Sequence, residues 1–505
     1  MNGNRSTRRL RVVAGSESLI SSAGGALLLQ TAAATGLDRS LRDALRPWRG
    51  RRAVHDPGKV LVDLAVAVAL GGDCLADVAV VRAQPDLFGD VASDPTVSRL
   101  VAALAAAAPA ALAAVRQARA QARERVWQLS PPVGTDGPIV VDLDATIVLA
   151  HSEKEGATPT WKRTFGFHPL LAFLDHKPGG TGEQLADLLR VGKATANDAA
   201  DHISVLTDAL AQLPAEQRSR VLVRGDSGAG VHAFVHHLHE LGLHYSLGLY
   251  AHQPIVDALG VLPRQAWRAA VDGDGEARAG AQVAELTRYL RPSRNPWPPG
   301  MRVMARRERP HPGAQLRLTD ADGWRITLFA TNVKGGRIAD HELLHRRRAR
   351  CEDRIRCAKD TGLRNLPLHD FTANQLWLEI VALAGDLLAW TQHLALTDTP
   401  ARTWEPKRLR LRLLNIAGRV ITSARQRSLR LPAAGPGTTP CSPVTPGSTR
   451  SPPDRHPPAP RARTRRPRQT RQPCTPTTRP TARRPSRPRQ PRSRKIEARC
   501  RSGWT

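Results

Sequence analysis

Two hydrophobic patterns divide the chain into a helical part and a strand-rich part. Residues 1–130 are rich in alanine and place apolar residues at helical spacing, notably after Asp56-Pro57 and after Asp94-Pro95. An Asp before a Pro is typical of a helix start, because Asp accepts from free N–H groups and Pro fits the first helical position. We therefore predict a helical N-terminal domain over 1–130, with Asp56 and Asp94 as N-caps.

Beyond a Pro/Gly break at 131–134, the apolar runs become short, which is typical of buried strands, and the first of them is rich in β-branched residues. These runs occupy 138–149, 165–174, 220–226 and 245–249. The first two are candidates for a hairpin, and helical patterns at 199–213 and 231–241 precede the third and the fourth. An order of strand, hairpin, helix, strand, helix and strand predicts an α/β fold.

Residues 251–338 have a different pattern, with alternating strands at 302–305, 315–318 and 324–329. This segment is predicted to be a mainly β insertion that interrupts the α/β core. The core is then predicted to have two parts, 138–250 and 339–430. The second part contains a basic helix over 345–359 and an amphipathic helix over 371–393.

Positive charge is spread unevenly along the 505 residues, whose net charge is +30. From Leu431 onward, 17 Arg and one Lys stand against two acids, which gives +16 and leaves +14 for residues 1–430. The tail at 431–505 also holds 17 of the 40 prolines and few residues able to form a core, so it is predicted to be disordered. Such an excess of cations predicts a polyanionic partner, of which DNA is the simplest.

A membrane location and a zinc module are both disfavoured by the sequence. No window reaches the roughly 18 apolar residues that a membrane span requires. The six cysteines form no CxxC pair, which is typical of a reduced cytosolic protein without a structural zinc site.

Three acids occupy positions suited to binding metal ions. Asp144 lies in the first predicted strand, Asp226 ends a later strand, and Glu352 lies on the basic helix. Carboxylate oxygens suit Mg²⁺, and two such ions about 3.5–4 Å apart can catalyse phosphodiester transfer. Asp142 points to the same strand face as Asp144 and is the alternative first acid; otherwise it is a strand carboxylate with a structural partner. The other interpretation of Asp226 is a helix N-cap.

The basic helix arranges its side chains in two neighbouring stripes when it is drawn with 3.6 residues per turn. Glu352 falls in one stripe with His345, Arg348 and Lys359, and the apolar stripe beside it contains Leu344, Cys351, Ile355 and Ala358. Such a face offers an acid to a metal ion and cations to phosphates. The alternative is an ordinary basic surface helix.

The spacing His345-x2-Arg348-x3-Glu352-x6-Lys359 resembles the Tyr-x2-Arg-x3-Glu-x6-Lys signature of insertion-sequence DDE transposases, with His345 in place of Tyr. The segments 152–156 and 166–170 look like the group-one transposase DDE domain, and the resemblance covers roughly residues 10–430. It implies an RNase H-like core and a catalytic, metal-binding triad of Asp144, Asp226 and Glu352. Asp144 is selected as the first acid because it stands two residues before Thr146.

The resemblance also implies cofactors, partners and an activity, and it implies DNA-end binding as the possible role of the helical domain over 1–130. Two Mg²⁺ or Mn²⁺ ions would serve DNA strand cleavage and strand transfer at the ends of the element, with His345, Arg348 and Lys359 contacting DNA. The expected partners are the terminal inverted repeats, the target DNA and a second copy of the chain, in the bacterial cytoplasm in association with the nucleoid. The alternatives are a metal-dependent nuclease without strand transfer and an inactive remnant that only binds DNA.

Weaker signals lie near the first strands and in the amphipathic helix. Lys154, Lys162, Arg163 and Lys193 are candidates for DNA contacts, although solvated basic residues are the simpler interpretation. The tryptophans at 161, 377 and 390 are predicted to lie in the core and not to act as stacking platforms.

Overall fold

The structure, a computed structural model, describes residues 19–131, 137–176, 182–291, 296–310, 320–321, 323–423 and 426–432. The predicted strand at 315–318 and the predicted tail from residue 433 onward lie outside the described residues. Helices fill the described N-terminal part, as predicted. They are α1 (Gly25–Thr35), α2 (Leu37–Ala44), α3 (Pro57–Ala69), α4 (Val78–Arg82), α5 (Pro85–Phe88), α6 (Asp94–Ala106) and α7 (Ala108–Leu129).

The two Asp-Pro pairs start their helices in different ways. Asp56 is the N-cap of α3, and its Oδ1 accepts from the N–H of Lys59 at 3.1 Å. The prediction for Asp94 is wrong, because α6 begins at Asp94 itself and Ser93 occupies the cap position. The Asp94 carboxylate instead pairs with Arg82 at 2.9 Å, so it is engaged away from the helix end.

Strands and helices alternate through the middle of the chain. The strands are β1 (Ile139–Ala145), β2 (Val148–Leu149), β3 (Thr158–Pro159), β4 (Phe165–Phe167), β5 (Leu170–Asp175), β6 (Glu183–Leu188), β7 (Val221–Gly225), β8 (His244–Leu249), β9 (Arg268–Val271), β10 (Ala277–Glu285), β11 (Arg302–Glu308), β12 (Asp320–Ala321) and β13 (Trp324–Thr331). The helices between them are α8 (Ala199–Ala211), α9 (His232–Glu240) and α10 (Gln253–Gly260).

One large mixed sheet has the order β6-β5-β1-β7-β8-β13-β11-β10-β9, with β12 beside β13. β1 runs antiparallel to β5 and parallel to β7, and β7 runs parallel to β8. Residues 165–174 divide into β4 and β5, and β4 joins β2 and β3 in a separate three-stranded sheet. The strands of the predicted insertion continue the large sheet, because β13 pairs with β8.

The C-terminal part contains α11 (Ile338–Arg346), α12 (Ala349–Ala358), α13 (Phe371–Ala395), α14 (Pro406–Leu409) and a hairpin of β14 (Arg419–Ser423) and β15 (Gln426–Arg430). The predicted continuous helix over 345–359 is wrong, since a turn at Arg347 and Arg348 separates α11 from α12. The N–H groups of Arg348 and Cys351 there donate to carbonyls three residues back, at 2.9 and 2.8 Å. These tighter bonds interrupt the α-helical pattern.

Helix α13 lies in the hydrophobic core, with Trp377 and Trp390 fully buried as predicted. It packs on α1, α3, α6 and α7 from the N-terminal part and on β6 of the sheet. The prediction for Trp161 is wrong, because 69% of its surface is exposed in the hairpin between β3 and β4.

Buried ion pairs also connect α7 to α13. Arg119 lies 2.8 Å from Glu379 and 2.9 Å from Asp386, and Arg123 lies 2.8 Å from Asp386 and 2.6 Å from Glu183 of β6. All five side chains are almost completely buried. Removing one partner would leave another charge buried without compensation, so the network fixes the N-terminal helices to the sheet.

Within the described residues, no single helix has the length and apolar character of a membrane span. The pair α6 and α7 passes that test only when both are taken together, and they meet at a bend of 107°.

Candidate active site

Strand β1 directs Asp142 and Asp144 to one face of the sheet, but the two carboxylates have different surroundings. Asp142 is buried, and its two oxygens each lie 2.7 Å from the Arg224 guanidinium. Arg224 also lies 2.8 Å from Asp175 and donates to the carbonyl of Leu344 at 3.0 Å. Both Asp142 oxygens therefore have a structural partner.

Asp144 is the more accessible of the two, with 14% of its side chain exposed. Its Oδ2 lies 3.3 Å from Nη1 of Arg348. Burial raises the pKa of Asp144 to about 7; Arg348 opposes this rise, and the charges of Asp226 and Glu352 add to it. Asp226 and Glu352 are thus both close enough to Asp144 for their charges to act on its carboxyl group.

Asp226 follows β7 directly, in a turn of small residues. Its Oδ1 accepts from the N–H of Gly228 at 2.9 Å. A Cβ added at Gly228 would lie 2.6 Å from the carbonyl of Ala196, so only glycine allows this close approach beside the carboxylate. Helix α9 has Val231 at its cap position, which excludes the interpretation of Asp226 as its N-cap.

Glu352 lies in the first turn of α12 and exposes 65% of its side chain. Its Oε1 lies 3.4 Å from Nη2 of Arg348, whose other terminal nitrogen contacts Asp144. Cys351 and Ile355 on the neighbouring stripe are buried, as the helical spacing predicts. Arg348 thus bridges an acid of the sheet and an acid of the helix.

The His345 ring packs against neighbouring side chains of the large sheet. Its ring stacks on Phe329 with centroids 4.5 Å apart, and its Nδ1 lies 3.1 Å from the Ser246 hydroxyl. Burial, followed by the charge of Arg348, lowers the pKa of His345 to about 3. The imidazole is therefore neutral near pH 7, and a contact between protonated His345 and phosphate is disfavoured.

Lys359 immediately follows α12 and reaches back to the start of the small sheet. Its Nζ donates to the carbonyl of Ile147 at 3.0 Å, three residues beyond Asp144. Burial and the neighbouring charge of Lys162 lower the pKa of Lys359. The lysine therefore links the Glu352 helix to the chain that leaves β1.

Arg224 is the site residue that sequence reasoning did not identify. It stands in an otherwise apolar run before Asp226, and a charge in a fully buried strand usually needs an ionic partner. Asp142 in the adjacent parallel strand is that partner, since the two residues are in register. A charged residue in an apolar strand could have drawn attention to Arg224, although the sequence does not show which acid pairs with it.

The donors at this site are chemically suited to a divalent cation. Asp144 and Glu352 present hard carboxylate oxygens. The pKa of Asp144 is raised first by burial and then by the charges of Asp226 and Glu352, which a bound cation would offset. Among the described residues, the group with three possible ligand atoms within 4.8 Å is instead Asp73, Cys74 and Asp77. There the Asp77 carboxylate accepts from the N–H groups of Asp73 and Cys74, which accounts for the cluster.

Comparison with known proteins identifies the family of this chain. No curated protein matches the chain. A solved piggyBac transposase synaptic complex with hairpin DNA is similar over 79% of this chain and 80% of that chain, with a TM-score of 0.40 and 8% identity. The family model for the transposase DDE domain group 1 matches residues 3–443. The chain therefore belongs to the transposase DDE domain group 1 family.

Proposed function

We propose that this transposase cuts and joins DNA at the ends of an insertion sequence, with Asp144, Asp226 and Glu352 as the catalytic acids of an RNase H-like core. The observation that carries the proposal is the contact of Arg348 with both Asp144 of β1 and Glu352 of α12. Asp226, in the turn after β7, is the third acid, and its charge adds to the rise in the pKa of Asp144. Asp144 lies on β1 and Asp226 directly follows β7, and the pairing of these two parallel strands near the middle of the mixed sheet supports the proposal further.

The three acids would hold Mg²⁺ or Mn²⁺. When bound, two such ions activate the attacking oxygen and stabilise the leaving oxygen of a phosphodiester. Asp144 must release its proton to take part, and the raised pKa makes that release sensitive to pH near neutrality. Asp142 would position β1 through Arg224 and is not proposed as a ligand.

Cations around the acids would bind the DNA backbone. Arg348 presents a planar guanidinium between two carboxylates and can bind a phosphate through two N–H groups. Lys359 would act close by, while His345 would support Arg348 through its stacking on Phe329. The family resemblance implies water as the first nucleophile and the freed 3′-hydroxyl as the second, in a complex of two chains with the terminal inverted repeats and target DNA.

Isosteric substitution of the acids tests the assignment. Asp144→Asn, Asp226→Asn and Glu352→Gln should each abolish cleavage of DNA that carries the sequences flanking the gene, while binding to that DNA persists. Asp353→Asn is the matched control, because Asp353 neighbours Glu352 on α12, is exposed and pairs with Arg356 at the surface. Full cleavage by any of the three acid variants would overturn the site assignment.

Strand transfer separates a transposase from a nuclease. The wild-type protein should join pre-cut ends to a target plasmid in the presence of Mg²⁺ or Mn²⁺. Cleavage without any joined product would support the nuclease alternative, and binding without either reaction would support the inactive remnant.

A further inference from the structure

The hairpin between β3 and β4 ends in a compact turn, residues 160–164, here called the Trp161 turn. The N–H of Thr160 donates to the carbonyl of Thr164 at 2.7 Å, and the two threonine hydroxyls lie 2.7 Å apart. The N–H of Arg163 donates to the carbonyl of Thr160 at 2.9 Å. These bonds hold the backbone of the turn in one shape, so the three residues between the threonines leave the hairpin from fixed positions.

The Trp161 turn exposes an aromatic ring and two cations together. Trp161 has most of its surface in solvent, and the Lys162 ammonium lies 4.9 Å from the centroid of its ring. Arg163 is also exposed. Within the described residues, no carboxylate pairs with Lys162 or Arg163. A large apolar ring surrounded by uncompensated positive charge suits an aromatic, anionic partner.

The backbone of Arg163 adopts a conformation that is unfavourable for a residue with a side chain. Its φ is 58°, in the left-handed region, where a residue with a Cβ is less stable by roughly 1–2 kcal/mol. Glycine would adopt this conformation without that cost. The turn therefore presents an arginine at a position where its backbone favours glycine.

The Trp161 turn belongs to the small sheet that begins at the end of β1. The chain passes from Asp144 through Ile147 into β2, and β4 pairs with both β2 and β3. Lys359 donates to Ile147, which joins the base of this sheet to the Glu352 helix. The N–H of Lys193 donates to the Thr158 hydroxyl and adds an exposed lysine beside β3. The hairpin thus projects from the chain segment that carries the first acid.

We infer that the Trp161 turn binds DNA next to the cut, with Trp161 stacking on an unpaired base and Lys162 and Arg163 binding the adjacent phosphates. This inference rests on the proposed function. A base that has left the duplex offers a free face to the indole ring, and stacking of this kind tolerates any sequence. Phosphate contacts from the two cations would fix the strand beside the ring.

Stacking is tested by measuring binding to two DNA probes. One is a forked DNA with a 2-aminopurine among its unpaired bases, and the other is a blunt duplex of the same sequence. Trp161→Ala should weaken binding to the fork by about 5- to 150-fold and affect the duplex much less. It should also restore part of the 2-aminopurine fluorescence that wild-type binding quenches, and Trp161→Phe should retain most of the affinity. Leu411→Ala is the control, because Leu411 is another large apolar side chain with 73% exposure.

Arg163→Gly tests the cationic part with the opposite effect on stability. The variant relieves the positive φ, so its melting temperature should equal or exceed that of the wild type. Its log-log dependence of affinity on salt should become shallower by about 0.7–0.9, as expected when one phosphate fewer is bound. Because these binding assays require no cleavage, they remain informative if the catalytic assignment fails.

Equal affinity of Trp161→Ala and wild type for the fork would overturn the inference. So would a change in oligomeric state at unchanged DNA affinity, since the turn would then be a contact between two copies of the chain.

Discussion

Asp142 and Asp144 are separated by one residue in β1, yet their surroundings give them different chemical properties. Asp142 places both oxygens on Arg224 inside the protein, whereas Asp144 shares Arg348 with the exposed Glu352. Burial raises the pKa of both carboxyl groups, but only the pKa of Asp144 is raised further by the charges of Asp226 and Glu352. The first residue is suited to holding β1 in place, and the second to exchanging protons or cations.

Asp142→Ala should lower the free energy of unfolding by about 3–5 kcal/mol, because Arg224 would remain buried with one carboxylate partner removed. Asp144→Ala should cost much less stability, since Arg348 is partly exposed and keeps its contact with Glu352. Urea denaturation of the two variants measures the difference. An Asp142→Ala protein as stable as the wild type would contradict the structural role of the Arg224 pair.

The stability of the metal-free protein should depend on pH through Asp144. The folded state retains a proton at this carboxyl up to about pH 7, whereas an unfolded chain releases it near pH 4. Stability from this group is therefore complete below about pH 4 and is lost as pH rises towards 7, by up to about 1.4 kcal/mol per pH unit.

To isolate this contribution, the free energy of unfolding is measured for the wild type and for Asp144→Asn in EDTA from pH 4 to 8, and the difference between the two proteins is compared across that range. Added Mg²⁺ should stabilise the wild type at pH 7–8 and should not stabilise the variant to the same degree. Parallel pH curves for the two proteins would contradict a raised pKa at Asp144.

At the scale of elements, α7 and α13 are joined by charges that water does not reach. Arg119→Met should lower the free energy of unfolding by about 3–5 kcal/mol, because Glu379 and Asp386 would each lose a buried partner. Arg125→Met on the same helix should change it by no more than about 0.5 kcal/mol, since Arg125 is exposed. Thermal or urea denaturation compares the two, and equal effects would rule out a special contribution from the network.

The sequence predicted elements whose patterns are local and missed those that depend on distant partners. The short apolar runs of β1, β7 and β8 identified these strands directly. Strand β6 was missed because it carries Glu183 and Asp187, which are buried through contacts with α7 and α13. The turn that divides α11 from α12 was missed because Arg347 and Arg348 give no Gly or Pro signal.

The candidate site was predictable as a set of residue types and spacings, and its geometry was not. Spacing alone put Arg348 and Glu352 on one helical stripe, and the structure keeps them in contact despite the turn. The contact of Arg348 with Asp144 joins positions 204 residues apart and depends on the whole sheet. The exposure of Trp161 could not be predicted either, because the neighbouring residues in the sequence do not show whether an apolar side chain in a hairpin turn is buried.

At the scale of the whole molecule, the tail should add affinity for DNA and no chemistry. A chain ending at Leu431 loses 17 Arg, one Lys and two acids, so its net charge falls by 16. The shortened protein should retain metal-dependent cleavage and should bind random DNA less tightly. Its log-log salt dependence should be shallower by nearly one unit for each phosphate that the tail no longer binds. Salt titrations of the full and shortened chains on unrelated duplex DNA measure this, and identical slopes would contradict a DNA-binding tail.

The long separation between Arg348 and Asp144 also sets when this protein can first act. A ribosome that adds roughly 5–20 residues per second needs about 10–40 s to travel from one to the other. Helix α13, on which the N-terminal helices and β6 pack, follows later still. A nascent chain therefore carries Asp144 long before it can form the contact with Arg348. If the proposed assignment is correct, a chain whose synthesis stops before α13 should not cut DNA.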